Sequence, residues 1–489
     1  YGPNGAKRID EIQPGDLVWS FEDGKMTARA VTAAWQSITQ QTFRVRTRNR
    51  TVVASANHPF MRLVPTAERH REVADVPWPG PLEGSRVGVG DCSVGECGEP
   101  VLSRGMCTRH YQAWRAHGDP RVRCTTRTVY RVEWARLDEL RPGDLLVQSK
   151  RMVSPDHTAP SPTLPDGTPV TEDVAWLLGL AVGDGSVTDK GLILSVFGDE
   201  RVRAARVFEA TWGRPACLYA DHKRGVRFHS VELARALAEM GMRRPSHEKR
   251  VPAAVWTWKE PLQRAFLDGY CDADGHRPAN PVRHGERTYH SVSWNLISEV
   301  RALHMMLGDP VSNIRTIDPP DELPVINGKR VKSMRTAYQF TVWSGARSGE
   351  AALRRRPGIA EWLDNSDFTV AAVLEISDAG VRDTYDIEVE GAHNFIGDGV
   401  QLHNSGFMSA ITNVIQGKNP YSRRFTTFSF TGASRGPAGF VRNLRSGFVV
   451  GITNAGVGHM AGTLGGVNVE SRGSAGVVVG PRARGASDG

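Results

Sequence analysis

Trp176-Leu-Leu-Gly-Leu-Ala-Val-Gly-Asp184-Gly185 and Phe266-Leu-Asp-Gly-Tyr-Cys-Asp-Ala-Asp274-Gly275 follow one design, an apolar helical stretch that ends in an aspartate followed by a glycine. Gly179 and Gly183 stand four residues apart, as do Gly269 and Ala273, so each stretch carries a stripe of small residues along one helix face. Such stripes let two helices touch backbone to backbone, which would deliver Asp184 and Asp274 to adjacent helix ends. Two carboxylates there are suited to hold divalent cations against backbone phosphates, activating water and stabilising the leaving oxygen. The bland alternative is a pair of amphipathic core helices with incidental terminal acids.

Around each stretch the pattern alternates between strands and helices. Residues 191–197, 218–228 and 290–294 can supply strands, while 200–211, 231–240 and 297–307 have helical periodicity. The two stretches resemble the paired motifs of LAGLIDADG homing endonucleases, which implies αββαββα repeats, Mg2+ held by Asp184 and Asp274, and double-stranded DNA as the partner. Glu248-Lys249-Arg-Val-Pro252 is similar to the family's Lys-x-Ile-Pro block, so the resemblance makes Lys249 a candidate to stabilise charge near the metals. Lys329 and Lys332 lie in the second half, with no equivalent role assigned.

Outside this segment the chain reads as β structure. Arg8-Ile-Asp-Glu-Ile-Gln-Pro-Gly-Asp-Leu17 recurs as Arg136-Leu-Asp-Glu-Leu-Arg-Pro-Gly-Asp-Leu145 with seven of ten positions identical, each copy a turn that feeds an apolar strand. Near the far end the chain reads Asp383-Thr-Tyr-Asp-Ile-Glu-Val-Glu-Gly-Ala-His393-Asn-Phe-Ile-Gly-Asp-Gly-Val-Gln-Leu-His403-Asn404-Ser405. An asparagine can cut the chain at itself when its side-chain amide attacks its own carbonyl, provided a neighbour protonates the leaving amide; His403 and His393 are the candidates. Ser405 supplies a hydroxyl that can accept an acyl group from upstream. A chance His-Asn-Ser in an ordinary loop is the competing reading.

This stretch resembles the C-terminal motifs of inteins, with Asp386 inside the Tyr-Asp-Ile-Glu-Val block, and the β repeat is similar to the Hint fold of inteins and hedgehog-type autoprocessing domains. Ser55-Ala-Asn-His58-Pro-Phe resembles the intein motif in which a hydroxyl residue three places before a histidine polarises the upstream scissile peptide. The family more often has threonine at the position of Ser55, and a turn histidine before proline is the alternative. An intein of this kind begins with Cys or Ser, whereas this sequence opens Tyr1-Gly-Pro. The nucleophile is therefore absent from the residues in hand, through either a trimmed start or a degraded one, and Asn404 cyclisation does not depend on it. The resemblance implies splicing without a cofactor and exteins acting in cis.

Between the two copies of the repeat, Cys92-x4-Cys97-x9-Cys107-x2-His110 has the residue types and spacing of a zinc site. Cys107 and His110 lie one helical turn apart on an expected helix through Arg109, Tyr111, Trp114 and Arg115, whose basic and aromatic side chains would face outward. The segment looks like the small Cys3His zinc modules of phage proteins that handle DNA; a staple for a loop, a Cys92–Cys97 disulfide or unrelated buried cysteines are the alternatives.

Composition sets the bounds. With 489 residues the length suggests three or four domains, and the 61 Lys and Arg against 53 Asp and Glu, a net charge of +8, permit nucleic-acid binding without requiring it. The sequence has neither a run of about 18 apolar residues nor a charged-then-apolar start, which argues against a membrane partner or secretion. Its six cysteines then read as thiols or metal ligands in a cytoplasmic, monomeric protein.

The expected architecture is multidomain: an all-β Hint horseshoe split by a small zinc module and by an α+β LAGLIDADG endonuclease. Its parts are Hint residues 1–87, zinc insertion 88–122, Hint continuation 123–150, linker 151–172, endonuclease 173–365, Hint C-terminal part 366–404 and flank 405–489. The flank is rich in Gly, Ser and Arg and ends in a stretch that reads as flexible, and its segment 458–471 looks like part of phage tail tape-measure proteins. The expected function is thus a self-splicing intein with a site-specific endonuclease, cutting DNA at the intein-free insertion site. The alternatives are a phage tail structural protein bearing an inactive intein, or a DNA-binding module whose nuclease is dead.

Overall fold

The repeated decapeptide is a repeat in three dimensions. Each copy forms a single 3-10 turn, Ile9–Glu11 and Leu137–Glu139, followed by a Pro-Gly-Asp turn in which a glycine takes a positive φ, +93° at Gly15 and +99° at Gly143. The aspartate closes each turn on the backbone three residues back: Gln13 N donates to Asp16 Oδ2 at 2.8 Å and Arg141 N to Asp144 Oδ2 at 2.9 Å. Each turn then docks on a long strand in the same way, Gly15 N to Val31 O and Gly143 N to Val373 O, both at 2.8 Å.

The computed structural model describes residues 1–56, 58–83, 87, 89–152, 161–218, 225–279, 283, 285–322, 325–326, 329–330, 333–343, 350–356, 358–390, 394–403, 407–418, 425, 430, 432–453, 459–472 and 476–487. They form two compact units, one of residues 1–63, 132–351 and 365–489, the other of residues 64–131 and 352–364.

In the first unit a sheet is ordered Leu17–Glu22, Lys25–Thr47, Phe368–Val389, Leu145–Ser149, Val400–His403 and then the start of Pro59–Val73. Lys25–Thr47 and Phe368–Val389 pair antiparallel over nearly their whole lengths, with four register breaks between Val373 and Val389. Such breaks increase twist and curl a long two-stranded ribbon. One face of this sheet buries a common core of apolar residues that includes Val18, Val31, Phe60, Leu146, Ile387 and Leu402.

The segment between the sheet strands folds as two halves with the same order of elements. Glu172–Asp184 runs into a four-stranded antiparallel sheet ordered Gly185–Thr188, Gly191–Leu194, Val226–His229 and Cys217–Leu218, with helices Gly198–Trp212 and Val231–Glu239. Glu260–Asp274 likewise runs into Gly275–His276, Arg287–Ser291, Ala337–Val342 and Arg315–Ile317, with helix Trp294–Met306 after the second strand. In both sheets the last strand in sequence lies between the second and the third. The expected strand 290–294 ends at Ser291, because Ser293 Oγ accepts Leu296 N at 3.2 Å and caps the next helix. The expected strand 191–197 stops at Leu194, and residues 219–224 of the third lie outside the described residues.

The second unit holds the outer parts of strands Pro59–Val73 and Val122–Arg136, with Arg131 paired to Glu68, and the cysteine segment with its helix Thr108–His117. The described residues after Ser405 include a sheet that their sequence pattern did not mark. Phe448–Thr453, His459–Leu464, Val467–Arg472 and Gly476–Val479 form an antiparallel sheet in that order, and Met408, Phe425 and Val469 are buried together. Among the described residues no helix is long and apolar enough to cross a membrane.

Candidate active site and metal centre

The two motif helices meet where neither has a side chain to hold them apart. A Cβ on Gly179 would lie 1.9 Å from Phe266 O and 2.8 Å from Tyr270 N; one on Gly269 would lie 1.9 Å from Trp176 O. Lower down, a Cβ on Gly183 would fall 2.4 Å from Ala273 Cβ and 3.4 Å from Asp274 Oδ2. The small-residue stripes are therefore the contact surface, and both helices end at it in an aspartate.

Lys249 completes the site. Its Nζ donates to Gly183 O at 2.6 Å and to Gly185 O at 3.1 Å, the carbonyls on either side of Asp184. Its own backbone is fixed from helix Trp294–Met306 and its cap: Ser293 Oγ donates to Lys249 O at 2.8 Å, and Glu299 accepts from Arg250 Nε at 2.7 Å and Val251 N at 2.8 Å. Glu299 and Ser293 were not singled out from the sequence. An acid at a core position of an apolar helix was the available signal, since Glu299 is 8% exposed. The side chains of Lys329 and Lys332 lie outside the described residues.

Electrostatics follow from this crowding. Burial, then the charge of Asp184, pushes the Asp274 carboxyl up to about 6, against the pull of Lys249. Burial also raises Asp184, opposed by Lys249. Burial lowers Lys249, while Asp274 and Asp184 hold its charge in place. Two half-buried carboxylates beside one lysine leave excess negative charge, so the donor set suits a divalent cation with oxygen ligands.

In the sheet, strand Val400–His403 pairs with its hairpin neighbour Asn394–Gly397 and, at Leu402, with Phe60, two residues after His58. The His58 segment is held by the second decapeptide: Leu137 N donates to His58 O at 3.0 Å and Asp138 N to Ala56 O at 2.9 Å. His58 N donates to Ser55 O at 3.0 Å, and the His58 ring meets Phe60 edge-on. Asp386 lies opposite Trp35 on the long strand and its Oδ1 accepts Ile387 N at 2.9 Å. His393, Asn404 and Ser405 lie outside the described residues, as does the side chain of His403.

In the second unit the four expected ligands converge. The ligand atoms of Cys92, Cys97, Cys107 and His110 all lie within 4.8 Å of one another. Cys97 Sγ is 3.9 Å from Cys107 Sγ, and His110 Nδ1 is 3.1 Å from Cys92 Sγ and 3.5 Å from Cys107 Sγ. Tetrahedral zinc would set its sulfurs about 3.8 Å apart and sulfur to nitrogen about 3.5 Å apart, so the cluster could hold a metal such as zinc. Burial and the charges of Arg109 and Arg123 lower the His110 pKa, favouring the neutral imidazole a metal needs. Tyr111 and Trp114 do not face outward as expected. They pack, together with Val76 and Trp78, against the Cys92, Val94, Met106 and Cys107 core, because so small a module needs its helix's aromatic rings as apolar cover, and Arg104 lies over the Trp114 ring.

No family model matches the chain. It is similar to a DNA polymerase of Thermococcus hydrothermalis, 27% identical over 300 residues, or 56% of this chain and 17% of the polymerase. A replicative DNA helicase DnaB of Rhodothermus marinus is 29% identical over 196 residues, covering 36% of this chain and 19% of the helicase. An iron-sulfur cluster assembly SufBD family protein of Mycobacterium leprae is 24% identical over 261 residues, covering 48% and 29%. The chain spans less than a third of the length of each of these relatives.

Proposed function

We propose that the chain is an intein, a Hint-type splicing element that releases itself from its flanks, carrying a LAGLIDADG-type endonuclease that cuts double-stranded DNA at the intein-free insertion site. What supports an inserted element is the pattern of relatives: a polymerase, a helicase and an assembly protein share little by name, yet each matches this chain over a minor part of its length.

The observation that carries the nuclease reading is the placement of Asp184 and Asp274 at touching helix ends, with Lys249 bound to the carbonyls of Gly183 and Gly185 on either side of Asp184. Mg2+ held by the two aspartates would supply Lewis-acid stabilisation of the scissile phosphate and a more acidic water. Lys249 would offset charge on the phosphate, and the two four-stranded sheets would give each half a surface for DNA. Incubation with Mg2+ and DNA spanning the intein-free site tests this: wild type cuts both strands, and equal cutting by Asp184→Asn overturns the assignment.

For splicing the support is the register that sets the end of strand Val400–His403 beside Phe60 and so near His58. In that reading His58 and Ser55 polarise the upstream peptide, whose acyl group shifts to the element's first-residue nucleophile and then to Ser405, freeing that nucleophile; His393 and His403 protonate the leaving amide as Asn404 closes its ring, and Asp386 on the long strand is a further candidate. Mass measurement of the 53.5 kDa chain after incubation checks the Asn404 step. Release of the segment that begins at Ser405, abolished in Asn404→Ala, is expected; a single intact species in both defeats it.

A further inference from the structure

The turn between strands Asn394–Gly397 and Val400–His403 is gripped from inside the helical segment. Asp398 at this turn has a positive φ of 46°, and Gly399 one of 75°, the pair of left-handed residues a tight hairpin turn requires. Asp398 Oδ1 accepts from Arg301 Nη1 at 3.0 Å, and its Oδ2 accepts from Thr51 N at 3.1 Å. Arg301 belongs to helix Trp294–Met306 and is 4% exposed. Its Nη2 donates to Asn49 O at 2.7 Å, in the turn after strand Lys25–Thr47, and its Nε to Ser312 O at 2.8 Å within the helical segment itself. Asn313 adds a second tie between the same parts, Nδ2 donating to Thr47 O at 2.9 Å and Oδ1 accepting from Thr51 Oγ1 at 3.0 Å.

The hairpin's first strand is tied at Asn394, whose O accepts from Ser20 Oγ at 2.7 Å, whose Oδ1 accepts from Phe21 N at 2.6 Å and whose Nδ2 donates to Phe21 O at 2.9 Å; the second strand is held to the sheet at fewer points. Beyond its own partner strand, Val400–His403 has one register pair with Phe60 and one with Gln148, plus Ser149 N to Gly399 O at 3.0 Å. A hairpin's register is set at its turn, and a slip of one residue sends every side chain to the opposite face. From Asp398 the strand runs five residues to the backbone of His403, about 16 Å at roughly 3.3 Å per residue, and Asn404 is next in sequence. Space at the turn is closed as well. A Cβ on Gly399 would lie 2.4 Å from Arg50 Nε and 2.7 Å from Met305 Cε.

We infer that Arg301, a residue of the endonuclease segment, is a positioning residue for cleavage at Asn404: through Asp398 it fixes the register of the hairpin that presents His403 and Asn404. The inference rests on the splicing reading for its chemistry and on the hairpin alone for its geometry. The charged groups facing Asp398 are Arg301, the buried Arg50 and the Tyr1 ammonium, with the Tyr1 hydroxyl 3.4 Å from Oδ1. Asp398→Asn therefore leaves two buried guanidiniums without their counter-charge, and Arg301→Met leaves Asp398 facing Arg50 and the Tyr1 ammonium.

Two readouts on the full chain separate the possible failures. Release of the segment after Asn404 should slow at least tenfold in Asp398→Asn and Arg301→Met, and Arg301→Lys should recover part of the rate. Arg243→Ala, at an exposed pair with Asp189, should leave it unchanged. Hydrogen exchange of amides 400–402 needs no cleavage and should quicken in the first two variants while the melting midpoint moves by a few degrees. Unchanged exchange at 400–402 overturns the inference whatever the cleavage result. Faster exchange with no release from wild type sustains Arg301 as the anchor of the hairpin and removes the splicing reading instead, and faster exchange with an unaltered release rate overturns the positioning role.

Discussion

Gly179 rests directly on the backbone of Phe266, with no room for even one carbon between the two helices. Every other feature of the acidic site depends on that contact, since it sets how close Asp184 and Asp274 come. Gly179→Ala should therefore cost about 3 kcal/mol or more in stability, the upper range for overpacking against backbone that cannot yield. A denaturant titration checks this, with the exposed Val202→Ala as comparison; equal midpoints would contradict the contact.

Asp274 gives the site a pH dependence of known sign. Its folded pKa of about 6 lies above the ordinary 3.8, so the native state holds a proton that the unfolded chain has lost between about pH 4 and 6. Metal-free stability should thus fall as pH rises through that window, and Asp274→Asn should flatten the fall. DNA cleavage should rise over the same window, because a cation needs the ionised carboxylate. A cleavage profile that is flat from pH 5 to 7 would count against Asp274 as a ligand.

Lys249→Met should lower the rate of DNA cleavage by about a hundredfold or more, as loss of one preorganised electrostatic donor does. DNA binding at equilibrium should change far less. It should also raise the Asp274 pKa further, moving the cleavage profile toward higher pH, which a rate measurement across pH reads directly.

One zinc per chain is expected by metal analysis, and none in Cys107→Ser. Stripping it with a chelator should open residues 92–118 to proteolysis, because Cys92, Cys107 and Met106 form most of the core that Tyr111 and Trp114 cover. Equal resistance with and without the metal would leave the cluster as packed thiols.

The sequence was most legible where spacing itself is the mechanism. Glycines four apart announce a helix contact, and three cysteines with a histidine announce a metal cluster, because the constraint is local. Arg301 and Asp398 are 97 residues apart and carry no periodic mark, so only the folded chain brings them together. Tyr111 and Trp114 read as outward because helical periodicity does not say which core a short helix will be laid against. The sheet after residue 440 escaped notice because glycines at 451 and 462 dilute the alternation of its strands. Glu299 was hidden in the reverse sense, a charge inside an apolar helix whose two partners lie on a distant loop.

The pairing of Thr47 with Val373 carries a consequence for timing during synthesis. The ribosome must make roughly 330 residues between the two partners, which at about 5–20 residues per second takes roughly 15–70 s. Throughout that interval the first long strand waits with an open edge, while the intervening helical halves, whose contacts are local, can fold. The strands that follow Phe368, up to His403, thus join the sheet only after nearly all of the helical segment has been translated, so the two halves of that segment can fold before the sheet around them closes.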